Sequence, residues 1–212
     1  METILASGSP RRRELLEMLG VKDLKIIPAL GEESSIEGEG PEEMVCRLSR
    51  GKALEVAGRV EGRPLIIAAD TVVSVEGQIL GKPGNEAEAK RMLACLSGRE
   101  HAVFTGVTLV RGETVMTEYE RTLVRFRQMT EAEISAYVAT GEPMDKAGAY
   151  GAQGIGALFV EGITGDFFNV MGQLRGAKGI SGRCHLCGDT HRGREISWLS
   201  LCVGRELPVY VL

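Results

Sequence analysis

The stretch between a short apolar run and the first predicted helix concentrates positive charge. Residues 4–19 read ILASGSPRRRELLEML, so Arg11, Arg12 and Arg13 fall in the first turn of a helix that Pro10 can open. The backbone N–H groups at a helix start carry partial positive charge, and the arginines add full charges beside them. This arrangement suits a bound polyphosphate. A capped helix with a solvated basic face is the alternative interpretation.

A single aspartate follows a strongly apolar run in the first half of the chain. Residues 65–69 read LIIAA, which indicates a strand buried on both faces, and the pattern predicts that this strand ends at Asp70. Ligands of α/β folds usually bind at the carboxyl ends of strands. Asp70 is therefore the strongest catalytic candidate by position, with a turn-capping aspartate as the alternative.

Two lysines and a glycine-rich segment could complete such a site. Lys52 falls in a helical pattern that begins at Pro41, and Lys82 lies in a constrained Gly-Lys-Pro loop. A lone lysine is usually a solvated charge, so both need support from other residues. Residues 141–156 read GEPMDKAGAYGAQGIG. This could be a nucleotide-binding loop, but without a strand before it and a helix after it such a run is more often a set of tight turns.

The elements that must position these residues are predicted from periodicity and capping signals. Asn85 and the Thr130–Glu133 capping box mark helix starts, Ser9 suits an N-cap, and Glu76-Gly77 marks a hairpin. The predicted helices cover residues 10–19, 41–56, 86–96 and 131–140. The predicted strands cover residues 24–27, 65–69, 71–75, 78–80 and 157–160, with a long hairpin over 99–127. Together they indicate an α/β fold.

Composition restricts the class of protein. The 212 residues are 43% hydrophobic and 25% charged, which is typical of a globular chain with one sizeable core. The formal net charge of −4 argues against generic nucleic-acid binding. No secretory signal or membrane span is visible, so a cytoplasmic protein that binds neither nucleic acid nor membrane is expected. Cys46 and Cys95 fall in helical patterns and are interpreted as small buried side chains.

Several short motifs in a characteristic order resemble one protein family. These motifs are SGSPRR at 7–12, EES at 32–34, KA at 52–53, AADT at 68–71, GKP at 81–83 and DKAGAYGAQG at 145–154. With them, residues 2–172 resemble the Maf family of nucleoside triphosphate pyrophosphatases, and in particular its dTTP/UTP subgroup.

The resemblance implies a fold and a reaction. The implied fold is an elongated mixed β-sheet flanked by helices, with two lobes around a cleft, as in inosine triphosphate pyrophosphatases. The implied reaction is hydrolysis of a nucleoside triphosphate to the monophosphate and pyrophosphate with a divalent metal, Mg²⁺ or Mn²⁺. A cytoplasmic homodimer that removes unwanted nucleotides is also implied, and the family name records a link to septum formation.

The resemblance also implies roles for individual residues. Asp70 would be the general base, and Glu33 would help it to hold the metal. Further expected contacts are Ser7, Arg12, Lys52 and Lys82 with the phosphates. The trio that marks the dTTP/UTP subgroup corresponds to Arg11, Thr71 and Gln153.

The chemistry of these residue types agrees with the implied reaction. A triphosphate carries about four negative charges, which several cations and a hard metal held by carboxylate oxygens can balance. Water that attacks the α-phosphorus needs a carboxylate to orient it, and the leaving pyrophosphate needs preorganised cations. The amide of Gln153 can both donate and accept, which suits the carbonyls and N3–H of a pyrimidine.

The last part of the chain departs from the family pattern. We expect a pyrophosphatase domain over 1–172, an atypical insertion rich in Gly and Arg over 173–206, and a remnant of the family's C-terminal segment over 207–212. Cys184, Cys187, His191 and Cys202 are enough ligands for a zinc ion, but their spacing fits no familiar finger, and free thiols are the preferred interpretation.

Two alternative functions stay open from the sequence. The substrate could be 7-methyl-GTP or another modified nucleotide rather than dTTP and UTP. The chain could instead be a non-catalytic nucleotide-binding regulator of cell division. The family's last helix is expected to be missing here, and its loss would expose apolar core surface at a cost of roughly 25 cal/mol per Å², which threatens stability and activity.

Overall fold

The computed structural model describes residues 2–31, 34 and 36–172, and the statements below concern those residues. The strands are β1 Thr3–Leu5, β2 Leu24–Ile26, β3 Leu65–Val75, β4 Gln78–Leu80, β5 Glu100–Arg111, β6 Thr114–Phe126 and β7 Val160–Thr164. The helices are α1 Pro10–Met18, α2 Pro41–Ala57, α3 Glu86–Leu96, α4 Glu131–Ala139 and α5 Phe167–Val170. Short 3₁₀ helices cover Glu142–Asp145, Ala147–Ala149 and Ile155–Phe159.

The strands form one mixed, seven-stranded sheet. Its order is β2-β1-β3-β5-β6-β7, and β4 pairs with the far end of β3. β1 is parallel to β2 and β3, whereas the pairs of β3 with β5, β5 with β6 and β6 with β7 are antiparallel. The three central strands are long, so the sheet is elongated. The predicted α/β fold, with a mixed sheet flanked by helices, is confirmed.

The strand β3 packs against different helices along its length. Near its start, Ile67 and Ala69 pack in one cluster with Leu16 of α1, while Ile66 and Ala68 pack on the other face with α2. Further along, Val73 joins the large cluster formed by α3, α4 and the ends of β5 and β6. The predicted burial of residues 65–69 on both faces is confirmed. The helices α1 and α2 thus pack against the first part of β3, and α3 and α4 pack near its end.

The sheet has a gap beside the middle of β3. β1 pairs with residues 65–67 of β3, and β4 pairs with residues 73–75. Between these two partners, the edge of β3 opens into a cleft that Asp70, Thr71 and Val72 help to line. The missing strand at this edge leaves space for the cleft beside Asp70 and Thr71, while the other edge of β3 stays paired with β5.

Two strand predictions were wrong in detail. β3 does not end at Asp70 but continues to Val75, because the ladder with β5 runs on and pairs Asp70 with Gly106. Residues 157–159 lie in a 3₁₀ helix, and β7 begins only at Val160, because the backbone at Ile155 and Gly156 turns to donate to the side chain of Glu142.

The predicted helix starts agree with the structure more closely than the predicted strand ends do. The side chain of Asn85 accepts from Glu88 N, and Thr130 forms the predicted capping box with Glu133. Ser9 does occupy the N-cap position of α1, but its side chain makes no capping bond. Cys46 is buried in α2, as expected, whereas Cys95 in α3 is only partly buried.

Candidate active site

A cleft of about 620 Å³ lies beside the gap in the sheet. Its walls come from the turn before α1, one face of α2, the middle of β3, the loop after β4 and the glycine-rich segment. The sequence-predicted site residues among its lining are Ser7, Arg11, Arg12, Lys52, Asp70, Thr71, Lys82 and Gln153. Residues separated by up to about 145 positions in the chain therefore meet in one cavity.

Lys52 and Asp70 form an ion pair within this lining. Lys52 Nζ lies 2.5 Å from Asp70 Oδ1, and both side chains are largely withdrawn from solvent. Met44, Leu48 and Lys52 are spaced four residues apart on α2 and all line the cleft, so one helical stripe brings the ammonium group to the carboxylate. Asp70 is 5% exposed.

A glycine on the neighbouring strand sets how closely α2 approaches Asp70. Gly106 of β5 pairs directly with Asp70. A Cβ atom at position 106 would lie 2.4 Å from the carbonyl oxygen of Val45 in α2. Only glycine leaves room for the backbone of α2 to rest on the sheet here, and that contact places Lys52 within reach of the carboxylate.

The guanidinium group of Arg12 joins three parts of the fold. Its Nη1 donates to Ser7 Oγ at 3.1 Å, its Nη2 donates to Thr71 Oγ1 at 3.2 Å, and its Nε donates to the carbonyl oxygen of Gly172 at 3.0 Å. A planar guanidinium held in this way is oriented before a ligand arrives, which suits bidentate recognition of a phosphate.

Two threonine hydroxyls extend this network into the sheet. Thr71 Oγ1 and Thr105 Oγ1 are 2.9 Å apart, and Thr105 donates to the carbonyl oxygen of Asn169 at 3.0 Å. A hydroxyl has one proton to donate, so Thr105 accepts from Thr71, and Thr71 in turn accepts from Arg12. The Thr71 proton is therefore committed to the protein, and this hydroxyl supports Arg12 instead of donating to a ligand.

The glycine-rich segment supplies the opposite wall. Arg11 Nη1 lies 3.5 Å from Asp145 Oδ2, which connects α1 with this wall. Gly148 has a φ of +66° and would place a Cβ atom 2.8 Å from Val73, so a side chain is excluded there on two grounds. The segment consists of tight turns and 3₁₀ helices, as the alternative interpretation of its glycines expected.

A buried aromatic cluster supports the glycine-rich segment through Tyr150. Tyr150 lines the cleft, and its hydroxyl lies 2.8 Å from Nε2 of His101 on β5. Phe126 makes edge contacts with both rings. Burial lowers the pKa of His101 to about 4, and burial raises the pKa of Tyr150, so both side chains stay neutral near pH 7.

The loop that follows β2 is fastened to α2. Glu55 accepts hydrogen bonds from the backbone of Leu30 and Gly31, and these bonds lower its pKa. Further along the loop, Arg47 donates to the carbonyl oxygen of Ser34 at 2.9 Å. Glu33, the expected second metal ligand, lies outside the described residues, as do the cysteines and histidines considered for zinc.

The described donors fit a hard divalent cation in part. Asp70 presents carboxylate oxygen at the cleft, and Mg²⁺ commonly takes only one or two protein carboxylates, with waters and substrate phosphates as its other ligands. No cluster of three or more His, Cys, Asp or Glu side chains suited to a metal occurs in the described part of the chain. Any larger protein cage would need residues beyond that part.

Sequence reasoning missed residues that act through others. Thr105, Tyr150 and His101 were not singled out, because a threonine in a strand or an aromatic in a core pattern has no distinctive spacing. Cross-strand pairing places Thr105 opposite Thr71, a contact that only the register of β3 and β5 decides.

Among the helices within residues 2–31, 34 and 36–172, none has the length and hydrophobicity that a membrane span requires.

Comparison with known proteins adds independent findings. A family model described as "Maf-like protein" matches residues 2–173. A protein of Symbiobacterium thermophilum named "dTTP/UTP pyrophosphatase" is 47% identical over 171 residues, which cover 81% of this chain and 87% of that protein. A Bacillus cereus protein of the same name is 50% identical over 169 residues, which cover 80% and 87% of the two chains.

Solved structures give weaker likenesses. A Mycobacterium abscessus structure described as a nucleoside-triphosphatase, dITP/XTP pyrophosphatase, is 18% identical with a TM-score of 0.40, and the match covers 61% of this chain and 76% of that one. A HAM1 protein from Coxiella burnetii is 17% identical with a TM-score of 0.38, over 61% and 74% of the two chains. Likenesses at this level carry no argument about chemistry.

Proposed function

This chain belongs to the Maf family, and from that premise we propose that it hydrolyses nucleoside triphosphates, with dTTP and UTP as preferred substrates, to the monophosphate and pyrophosphate. Relatives that are 47% and 50% identical carry the name dTTP/UTP pyrophosphatase, which supports this substrate class. The observation that carries the proposal is the Lys52–Asp70 pair at the open edge of β3, in a cleft also lined by Arg12 and Lys82.

Asp70 is the proposed general base. Its carboxylate orients a water molecule and takes its proton as the water oxygen attacks the α-phosphorus. The bond from the α-phosphorus to the bridging oxygen then breaks, and its electron pair leaves with pyrophosphate. Lys52 holds Asp70 in place before substrate binds.

The cations around the cleft stabilise the leaving group. Arg12, Lys52 and Lys82 are the groups proposed to contact the phosphates, together with the hydroxyl of Ser7. Arg12 is already oriented by its bonds to Ser7, Thr71 and Gly172, so little conformational entropy is lost when it binds a phosphate. Preorganised charge of this kind lowers the barrier because it does not have to rearrange during the reaction.

A divalent metal, Mg²⁺ or Mn²⁺, is the proposed cofactor. Asp70 would hold it, with Glu33 as the second carboxylate that the family resemblance implies. The metal would neutralise charge on the phosphate oxygens and activate water.

Base selection is proposed to depend on the wall that carries Gln153. The side-chain amide can donate to a pyrimidine carbonyl and accept from its N3–H. Arg11 and Thr71 complete the trio associated with dTTP and UTP. Because the Thr71 hydroxyl donates to Thr105, we assign Thr71 to the support of Arg12 rather than to a donor contact with the base.

The family resemblance supports a further proposal on localisation, assembly and domain organisation. We propose a cytoplasmic homodimer that removes unwanted nucleotides, and a pyrophosphatase domain over residues 1–172 followed by the atypical segment 173–206 and the remnant 207–212.

The test is pyrophosphate release from a panel of nucleoside triphosphates with Mg²⁺ or Mn²⁺. Wild-type protein should prefer dTTP and UTP, and Asp70→Asn should lose about 10²- to 10⁴-fold in kcat. Asp23→Asn is the matched control: Asp23 is exposed in a turn before β2, at a positive φ that asparagine also tolerates. Removal of the metal with a chelator should abolish release.

Each other outcome has a defined meaning. Turnover of 7-methyl-GTP without a pyrimidine preference would place the chain in the other subgroup. Nucleotide binding without pyrophosphate release from folded protein would contradict the enzymatic proposal and favour a regulatory role. Equal activity of Asp70→Asn and wild type would exclude Asp70 as the base.

A further inference from the structure

We propose that Glu142 is a positioning residue for nucleobase selection, because its carboxylate holds the segment 151–156 in the conformation that places Gln153 in the cleft. This inference rests on the proposed function. Gln153 lines the cleft, whereas Glu142 lies outside that lining, so Glu142 acts through the segment and not by direct contact with a nucleotide.

The carboxylate of Glu142 is surrounded by donors from the segment. Oε2 accepts from the backbone N–H of Ile155 at 2.9 Å. Oε1 accepts from the backbone N–H of Gly156 at 3.1 Å and from the hydroxyl of Tyr137 at 2.8 Å. That hydroxyl in turn accepts from the N–H of Gly151 at 3.1 Å. One carboxylate thus fastens the chain on both sides of Gln153.

The glycines of this segment lie against Glu142 and two residues bonded to it, Tyr137 and Lys146. A Cβ atom at position 154 would lie 2.4 Å from Glu142 Oε2, and one at position 156 would lie 2.6 Å from the hydroxyl of Tyr137. At position 151 it would lie 2.7 Å from the side chain of Lys146. Glycines that resemble a phosphate-binding loop therefore wrap around an anion of the protein itself, and the segment's amides at 155 and 156 are already occupied.

The environment keeps this anion charged. Burial alone would disfavour the charged form of Glu142, but the hydrogen bonds from Ile155, Gly156 and Tyr137 outweigh it, and the pKa of Glu142 is lowered. The adjacent Lys146 donates to the backbone oxygen of Glu142 at 2.6 Å. A neutral amide at position 142 keeps the shape but presents an NH₂ group where one oxygen accepts, so at least one bond to the segment is lost.

The decisive variant is Glu142→Gln, and Glu133→Gln is its matched control. Glu133 also accepts backbone and side-chain hydrogen bonds, from Thr130 and Arg127, but lies outside the cleft lining. Three quantities are compared for each protein: dissociation constants for dTTP and for inorganic tripolyphosphate, which has no base; KM and kcat for dTTP; and hydrogen exchange of the amides of residues 151–156.

In Glu142→Gln we expect dTTP to bind about tenfold more weakly with KM raised in parallel, since a loosened Gln153 no longer presents its amide in one orientation. Tripolyphosphate affinity and kcat should stay within about twofold, because the phosphate-contacting residues lie on other elements. Amide exchange at 155 and 156 should accelerate in this variant and stay unchanged in Glu133→Gln.

Two results would overturn the inference. If dTTP and tripolyphosphate weaken equally, Glu142 supports the whole cleft and not base selection. If dTTP binding is unchanged although exchange accelerates, the conformation of the segment does not decide selection. Should Glu142→Gln fold poorly, Tyr137→Phe removes one of the same bonds and must shift the ratio of the two affinities in the same direction.

The experiment separates this inference from the proposed function. Absence of pyrophosphate release from wild-type protein would contradict the enzymatic proposal, whereas the two dissociation constants and the exchange rates test the role of Glu142 without turnover.

Discussion

The two walls of the cleft are built on different principles. The phosphate wall, which we define as Ser7, Arg12, Lys52, Asp70 and Thr71, is held by contacts between elements that are far apart in sequence. The base wall, defined as residues 142–156, is held by Glu142 and Tyr137. Arg12 reaches Thr71 across 59 positions and Gly172 across 160, whereas the bonds of the Glu142 carboxylate span at most 14.

This difference predicts different sensitivities. The phosphate wall depends on the register of β3 with β5 and on how closely α2 rests on the sheet. The base wall depends largely on local turns, and it is connected to the rest of the fold by the bond between Tyr150 and His101 and by the bond from Gly148 N to the carbonyl oxygen of Gly81. Changes in sheet packing should therefore impair catalysis for every nucleotide, and changes around Glu142 should alter the choice of base.

The largest effect is expected from Gly106→Ala. The new Cβ atom would lie 2.4 Å from the carbonyl oxygen of Val45, so α2 must move away from the sheet and carry Lys52 with it. We expect a loss of about 3 kcal/mol in unfolding free energy, and a lower kcat for all nucleotides. Denaturant unfolding and pyrophosphate release measure the two effects.

Gly51→Ala provides the contrast within the same helix. A Cβ atom at position 51 meets nothing within 4 Å, and this helical glycine is exposed. Alanine should raise stability by about 0.5–1 kcal/mol and leave activity unchanged. Equal destabilisation by both substitutions would show that the contact at Gly106 is not what holds α2 in place.

The next effect concerns the orientation of Arg12. Arg12→Lys keeps the charge but cannot maintain bonds to Ser7, Thr71 and Gly172 together. We expect kcat/KM to fall about 10- to 100-fold for dTTP and for poor substrates alike, so the preference among bases is retained. Arg13→Lys is the control, because Arg13 is exposed and bonds to Glu17. A changed base preference would contradict the separation of the two walls.

Lowering the pH should reduce the unfolding free energy through His101, which bonds to Tyr150 of the base wall. An unfolded histidine takes up a proton as the pH falls below about 6.5, whereas folded His101 resists protonation down to about 4. Stability linked to His101 is therefore complete above that window and is lost as the pH falls through it, by about 1 kcal/mol at pH 5.5. Unfolding free energies measured between pH 7 and 5.5 should show a shallower slope in His101→Gln. An identical slope would exclude His101 as the titrating group.

The smallest effect is expected from Thr105→Val. Valine has the same shape but removes the bonds to Thr71 and to the carbonyl oxygen of Asn169, at a cost of about 1 kcal/mol in stability. Arg12 keeps its bond to Thr71, so kcat/KM should fall only about threefold, again for all bases.

Thr108→Val tests whether that loss is specific. Thr108 is equally buried in β5 and bonds to Ser49 and Thr117, away from the cleft. It should cost similar stability without changing kcat/KM. A similar fall in activity for both variants would mean that the effect comes from the strand and not from the network around Arg12.

Much of the fold was predictable because its signals are local. The helix starts at Asn85 and Thr130 depend on neighbours three residues away, and the hairpin at Glu76-Gly77 depends on a backbone turn that glycine favours. The end of β3 was mispredicted because the partner strand that extends it, β5, lies about thirty residues further on. No local pattern shows how far such a ladder continues.

For the candidate site, the sequence by itself determined the inventory: the carboxylate, the cations, the glutamine and the glycines, each with a residue type that limits its chemistry. Only the tertiary structure decided how they are used. It opened the edge of β3 between β1 and β4, committed the Thr71 proton to Thr105, and turned the glycine run around Glu142. These outcomes depend on strand register and on close backbone contacts between distant segments, which are set by packing of the whole core and leave no mark in local spacing.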